Sequence, residues 1–214
     1  MYIEILKDRK EAGLLLSEKL EKYQDSDTLI LAVPRGGVPI GYEIAKNLNL
    51  PLDIILSKKI GHPSNKEFAI GAVSLDSTII DPYPDISNAY IDAEIKHIRE
   101  LLQEKYALYM GNRKPIDIKG KNVIIVDDGI ATGNTLLASI NMLRKNNPKK
   151  IIVAVPVVPA DVVATFQQKA DEFVFLMAPM DFGGVGRFYQ DFEQVNDDEV
   201  IRMLGMANLM GKPL

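Results

Sequence analysis

The stretch VIIVDDGIATGNT, Val123 to Thr135, decides how this chain is read. Its first four residues are β-branched and apolar, the pattern of a strand covered by helices on both faces, which has no polar side to alternate with. The run stops at two carboxylates, Asp127 and Asp128, which then stand at the carboxyl end of the strand. In open parallel sheets that edge binds ligands. Gly129, Ile130, Ala131, Thr132, Gly133, Asn134 and Thr135 follow, mostly small or hydroxylated, and lead into the helical pattern of Leu136 to Lys145. Such a turn gathers backbone N–H groups and hydroxyls at a helix N-terminus, where the dipole favours a phosphate. Acid pair and cradle together imply a ligand with a phosphate at one end and a diol, alone or with a metal ion, at the other. A phosphorylated sugar satisfies both. The neighbouring phosphate motifs do not fit, because Gly133 is followed by Asn134 rather than Lys, and no GxGxxG follows the strand.

Outward from this stretch the same grammar repeats. Thr28 to Val33 is an apolar strand ending in Pro34-Arg35-Gly36-Gly37 before the helical Val38 to Leu48, so a second strand meets a Gly-rich turn, now with a cation in it. Leu52 to Leu56 is another buried strand, followed by SKKIGHPSNKEF. Lys58 and Lys59 are adjacent and point to opposite sides of an extended chain. Gly61 to Asn65 reads as loop. His62 in that loop is read as incidental, and Glu67 as an acid without an assigned role. Ala69 to Ser74 and Thr78 to Ile80 form a short antiparallel pair linked at Asp76-Ser77. Asp8 to Tyr23 is an amphipathic helix explained by core packing. Asn88 to Met110 is a long helix with Ile91, Ile95, Ile98, Leu102, Tyr106 and Tyr109 on one stripe, closed by Gly111 and Pro115. That face is wide enough for a homodimer contact, although core packing also accounts for it. Ile151 to Val155 and Glu172 to Met177 add two buried strands around the helical Asp161 to Lys169, with Pro156 and Pro159 expected in the loop between them. The fold class is therefore α/β with a mostly parallel sheet.

Composition bounds the function. The chain has 214 residues, 47% of them hydrophobic and 25% charged, as expected for a globular protein of one domain. It contains no cysteine, which excludes disulfides and thiolate metal sites. A net charge of -4 argues against a general nucleic-acid binder. Met1 to Lys10 alternates charged and apolar residues, unlike a signal peptide, and no apolar run approaches the roughly 18 residues that span a bilayer. A cytoplasmic location is expected.

The Val123 to Thr135 string resembles the 5-phosphoribosyl-1-pyrophosphate (PRPP) motif of type I phosphoribosyltransferases: a hydrophobic strand, two acids, then a short Thr-Gly loop. The resemblance covers nearly the whole chain in element order, and it is nearest to an uncharacterised bacterial and archaeal branch of that family. It implies a Rossmann-like core over residues 1–178, including a flexible basic loop at 57–87. A C-terminal hood and helix at 179–214 would belong to the same domain. It further implies that Gly129 to Thr135 hold the 5-phosphate of PRPP and that Asp127 and Asp128 hold the ribose hydroxyls. A Mg²⁺ ion arriving with PRPP would meet that acid pair through PRPP and water. Arg35, Gly36 and Gly37 would bind pyrophosphate, with Lys58 or Lys59 brought by the loop. Phe182, Phe188 and Tyr189, in the Gly- and aromatic-rich MDFGGVGRFYQDFEQV, would form the hood over a nucleobase, or else a plug under the final helix, Asp197 to Leu209. The reaction implied is transfer of the phosphoribosyl group to a nitrogen acceptor in nucleotide salvage. Members that salvage hypoxanthine and guanine carry an acid immediately before the loop threonine, where this chain has Ala131. Two other readings stay open. One is a PRPP-sensing regulator that contacts nucleic acid, for which Lys145, Lys149 and Lys150 are the only basic cluster. The other is an organisational module partnered with a separate hydrolase.

Overall fold

In the computed structural model, residues 5–210 are described. The first four residues of the Met1 to Lys10 stretch and the last four of the 179–214 segment lie outside them. The centre is a five-stranded, all-parallel sheet of β1 (Thr28–Ala32), β2 (Leu52–Ile54), β6 (Asn122–Val126), β7 (Lys150–Val157) and β8 (Glu172–Met177), in the order β2-β1-β6-β7-β8. β7 continues through Pro156 to Val157, two residues beyond the expected strand. Helices α1 (Arg9–Lys19), α2 (Gly37–Leu48), α3 (Asn88–Met110), α4 (Asn134–Arg144), α5 (Val163–Lys169) and α6 (Asp197–Met210) enclose the sheet.

The four apolar residues of β6 explain why the sheet is buried on both sides. Ile124 and Val126 pack with α1, α2, α3 and α6 through Leu16, Ile44, Leu102 and Leu204. Val123 and Ile125 pack with α4 and α5 through Ile140 and Phe166. All four are fully buried, so the unbroken apolar run serves two cores at once. Most of the α3 stripe is used in the same way: Ile98, Leu102, Tyr106 and Tyr109 are buried within the chain, and Ile91 and Ile95 are partly buried against it. At the edge strand, the buried Asp53 accepts from Tyr106 Oη (3.0 Å) and from the amides of Ile54 (2.7 Å) and Ile116 (3.0 Å). These bonds fasten the segment after α3 onto β2, while burial holds the Asp53 carboxyl above its ordinary pKa.

The region 57–87, expected as a flexible loop, is for the most part a second sheet. β3 (Ser57–His62), β4 (Asn65–Ser74) and β5 (Thr78–Ile80) pair antiparallel in the order β3-β4-β5. The anticipated β4–β5 pair is present, with Ala72 opposite Ile79. The loop chemistry of Gly61 to Asn65 is confined to a tight turn at Pro63-Ser64, and the chain on either side is extended. Ile60, Ile70 and Val73 are buried in the main core and anchor the base of this sheet, whereas residues 63–69 at its tip are all exposed.

Candidate active site

From β1 the chain crosses through α2 to β2 on one side, and from β6 it crosses through α4 to β7 on the other. The point between β1 and β6 is therefore the topological switch of the sheet, where doubly wound folds open a ligand crevice. The two strands end level, with Ala32 opposite Val126, so the turns after them leave side by side. One carries Pro34-Arg35-Gly36-Gly37, and the other Asp127 to Gly133. A Cβ at position 36 would lie 2.0 Å from Asp128 Oδ2, so only glycine lets the two turns approach this closely. The Pro34-Arg35 peptide bond is cis.

In the second turn, Gly133 adopts a left-handed conformation (φ 76°) and precedes the first residue of α4. Among the described residues, the amides of Ala131 to Leu136 donate to no other residue, and the first helical bond is from Leu137 N to Gly133 O. These free N–H groups converge at a helix N-terminus, as an anion site requires. Ile130 does not belong among them. Its amide donates to Val157 O (2.9 Å) and its side chain is buried, so it anchors the turn to β7 instead of facing a ligand.

Each carboxylate of the acid pair has one oxygen tied back to the protein. Asp127 Oδ1 accepts from the Asp128 amide (2.8 Å). Asp128 Oδ2 accepts from Arg9 Nη2 (2.8 Å) and Nε (3.0 Å). Asp127 Oδ2 and Asp128 Oδ1 take no hydrogen bond from any other described residue, which leaves one acceptor free on each carboxylate. Burial, and then the neighbouring Asp128 charge, push the Asp127 carboxyl well above its ordinary pKa. Burial also raises Asp128, against the downward pull of Arg9.

A cavity of about 660 Å³ extends from this turn beneath β3–β5, lined among others by Thr132, Asn134, Thr135, Lys58, Lys59 and Glu67. The structure thus brings both lysines and the phosphate-type turn to one cleft. Lys59 Nζ is held by the Glu67 carboxylate (2.8 Å) and carbonyl (3.0 Å), which gives that acid a partner. Lys58 has no ion pair among the described residues. His62 Nδ1 accepts from the Ser64 amide and shapes the turn. Arg35 lies beside the crevice, with Nη1 3.5 Å from the carboxylate of Asp197, which also accepts from Tyr109 Oη (2.6 Å).

The hood segment is placed differently from its sequence reading in one respect. Phe182 and Phe188 stack on each other at 5.7 Å and are half-buried. Tyr189, however, is buried, and its hydroxyl donates to Asp128 O (2.7 Å). It braces the acid pair and presents no face to a base, because its ring packs against Phe192. The segment is joined to the start of the chain: Leu6 and Tyr189 bridge in parallel, with Leu6 N on Phe188 O and Gln190 N on Leu6 O. Sequence reasoning missed Arg9, since a single arginine opening an amphipathic helix looks like any solvated charge.

Known proteins are similar to this chain. The profile of the phosphoribosyl transferase domain matches residues 3–175. A Mycobacterium tuberculosis protein named "Putative phosphoribosyl transferase" is 36% identical over an alignment of 212 positions that covers 96% of this chain and 48% of that protein. The chain thus spans about half the length of the curated relatives it matches. Over 39 residues, 18% of this chain and 14% of the other, it is 54% identical to a ribose-phosphate pyrophosphokinase of Pyrococcus furiosus. The crystal structure of a Thermus thermophilus protein superposes with a TM-score of 0.83 at 35% identity, over 94% of this chain and 97% of that one. With its parallel sheet, its paired turns at the switch point and these relatives, the chain belongs to the phosphoribosyl transferase domain family and has the type I fold.

Proposed function

We propose that the crevice binds PRPP and transfers its 5-phosphoribosyl group to a nitrogen acceptor, with release of pyrophosphate. The observation that carries this reading is the placement, on one turn, of free amides from Ala131 to Leu136 next to two open carboxylate oxygens. The amides and the Thr132 and Thr135 hydroxyls hold the 5-phosphate. Asp127 Oδ2 and Asp128 Oδ1 accept from the ribose hydroxyls. The Arg35 and Gly36 amides receive the pyrophosphate, whereas the Gly37 amide donates to Val33 O (2.9 Å) and contributes only its lack of a side chain; Lys58 and Lys59 meet the growing charge from across the cleft.

Mg²⁺ fits this donor set as an ion carried in by its ligand. Among the described residues no three His, Cys, Asp or Glu side chains are grouped to hold a metal. Two carboxylates, ligand oxygens and water suit an ion that prefers oxygen and keeps part of its hydration. When bound it would neutralise charge on the departing pyrophosphate. The protein's own contribution is positioning and preorganised electrostatics around a ribose that becomes cationic as the bond to pyrophosphate lengthens.

Ala131 narrows the acceptor. Its methyl group cannot accept a proton from a purine, and an acid at such a position contributes on the order of 10²-fold or more in rate. The test is PRPP- and Mg²⁺-dependent pyrophosphate release across nucleobases and amines. Release is expected with an acceptor such as adenine, orotate or another amine, and poor release with hypoxanthine and guanine. Absence of PRPP binding by calorimetry would overturn the function, and efficient turnover of hypoxanthine or guanine would overturn the role given to Ala131.

A further inference from the structure

We propose that Arg9 is a positioning residue of this site, fixing the second acid of the motif with one oxygen occupied and the other offered to the ligand. The inference rests on the PRPP reading and goes beyond it. Arg9 opens α1, and its Nε and Nη2 both donate to Asp128 Oδ2. Two bonds to Oδ2 hold that oxygen in place and leave Oδ1 without a partner among the described residues. A lysine, with a single charged nitrogen on a flexible stem, gives no such two-donor contact.

Arg9 is itself held on three sides. Nη1 donates to Glu193 O (2.8 Å), the guanidinium lies 3.9 Å over the Phe192 ring, and the Arg9 side chain is only 12% exposed. Gly36 also stands against Asp128 Oδ2, too close for any side chain. The carboxylate is therefore in contact both with the turn assigned to pyrophosphate and with a cation from α1. The charged and titratable groups facing Asp128 are Arg9 from α1, Asp127 from its own turn and Tyr189 from the C-terminal segment. Burial and Asp127 favour the protonated pair, and Arg9 is the cation that opposes them.

Arg9 should therefore matter for the diol end of the ligand and not for its phosphate end. Binding of PRPP, in the presence of Mg²⁺, and of inorganic phosphate is measured by calorimetry at pH 7 for wild type, Arg9→Gln and Arg9→Lys, with thermal midpoints confirming that each is folded. Arg9→Gln is expected to lose roughly tenfold or more in PRPP affinity, with phosphate affinity within about threefold of wild type, because phosphate meets only the free amides of the turn. Arg9→Lys keeps the charge without the two-donor contact and should recover only part of the loss. In a ligand-free experiment, crystal structures of wild type and Arg9→Gln should show the Asp128 carboxylate turned from its wild-type orientation in the variant. Equal losses for PRPP and phosphate would reduce Arg9 to packing and overturn the proposal, as would unchanged PRPP affinity or an unmoved carboxylate. A turned carboxylate in a protein whose wild type binds no PRPP would overturn the functional reading alone, and would leave the hold of Arg9 on Asp128 standing.

Discussion

Asp127 occupies a position where a negative charge is costly: its carboxylate is out of water and beside that of Asp128. Its pKa lies above the unfolded value, so between those two values the folded protein binds more protons than the unfolded chain. Stability of the ligand-free protein then falls as pH rises through that window. Asparagine keeps the acceptor for the Asp128 amide and removes the charge. Asp127→Asn is therefore expected to melt higher than wild type at pH 7 to 8, with the difference shrinking towards pH 4, while its PRPP affinity drops by about 1.5–3 kcal/mol. Thermal melts across pH together with calorimetry check both arms, and a lower midpoint at neutral pH would contradict the electrostatic account. At this scale the acid pair was legible because a strand of four apolar residues can end in two acids only at a sheet edge. Arg9 was not, because its partner Asp128 lies 119 residues away and nothing local marks the pairing.

The elements themselves were legible wherever hydrophobic period decided them. α3 and β8 have the bounds the sequence gives, and β6 differs by one residue. The hairpin region was misread in part, because Gly, Pro, Ser and Asn at 61–65 are turn residues, whereas the strands beside them are specified by distant partners. Lys59 pairs with Ala72 and Lys58 with Val73. Tyr90 Oη donates to Gly61 O (2.6 Å), Lys66 binds Glu94 of α3 (2.9 Å), and Arg99 donates to Thr78 Oγ1 (3.0 Å). These contacts tie the second sheet to α3 at Gly61, Lys66 and Thr78. Replacing Lys58 and Lys59 together by Ala should depress pyrophosphate release more than PRPP affinity, because their charge is needed as the leaving group forms. Glu67→Gln frees Lys59 without removing its charge and should not reproduce that loss. The Lys59–Glu67 pair is exposed, so the melting temperature should hardly change in Glu67→Gln. Equal losses of affinity and rate in the lysine variant would show that both side chains bind the ground state as tightly as the reacting complex.

Across the whole molecule, the α/β alternation announced the parallel sheet, and the pattern of two strands each followed by a glycine turn announced the crevice. The closure of the chain on itself was silent in the sequence. Leu6 pairs with Tyr189, Lys7 O accepts from the Asp191 amide, and Arg9 and Tyr189 then reach Asp128 from opposite ends of the chain. The strand bridge is too short to show a period, and an aromatic cluster beside glycines reads equally well as a binding surface. Tyr189→Phe separates these two roles. It keeps the ring and its packing against Phe192, and removes only the donor to Asp128 O. If Tyr189 is a brace, the variant should lose roughly 0.5–1.5 kcal/mol in urea unfolding. PRPP affinity should stay within about threefold of wild type, since the carboxylates of Asp127 and Asp128 remain held through their other oxygens, Asp127 Oδ1 by the Asp128 amide and Asp128 Oδ2 by Arg9. Unchanged stability would mean that the hydroxyl bond contributes nothing to holding the C-terminal segment against the acid pair, and the coupling between the two ends would then rest on the Leu6 bridge, the Lys7–Asp191 bond and Arg9.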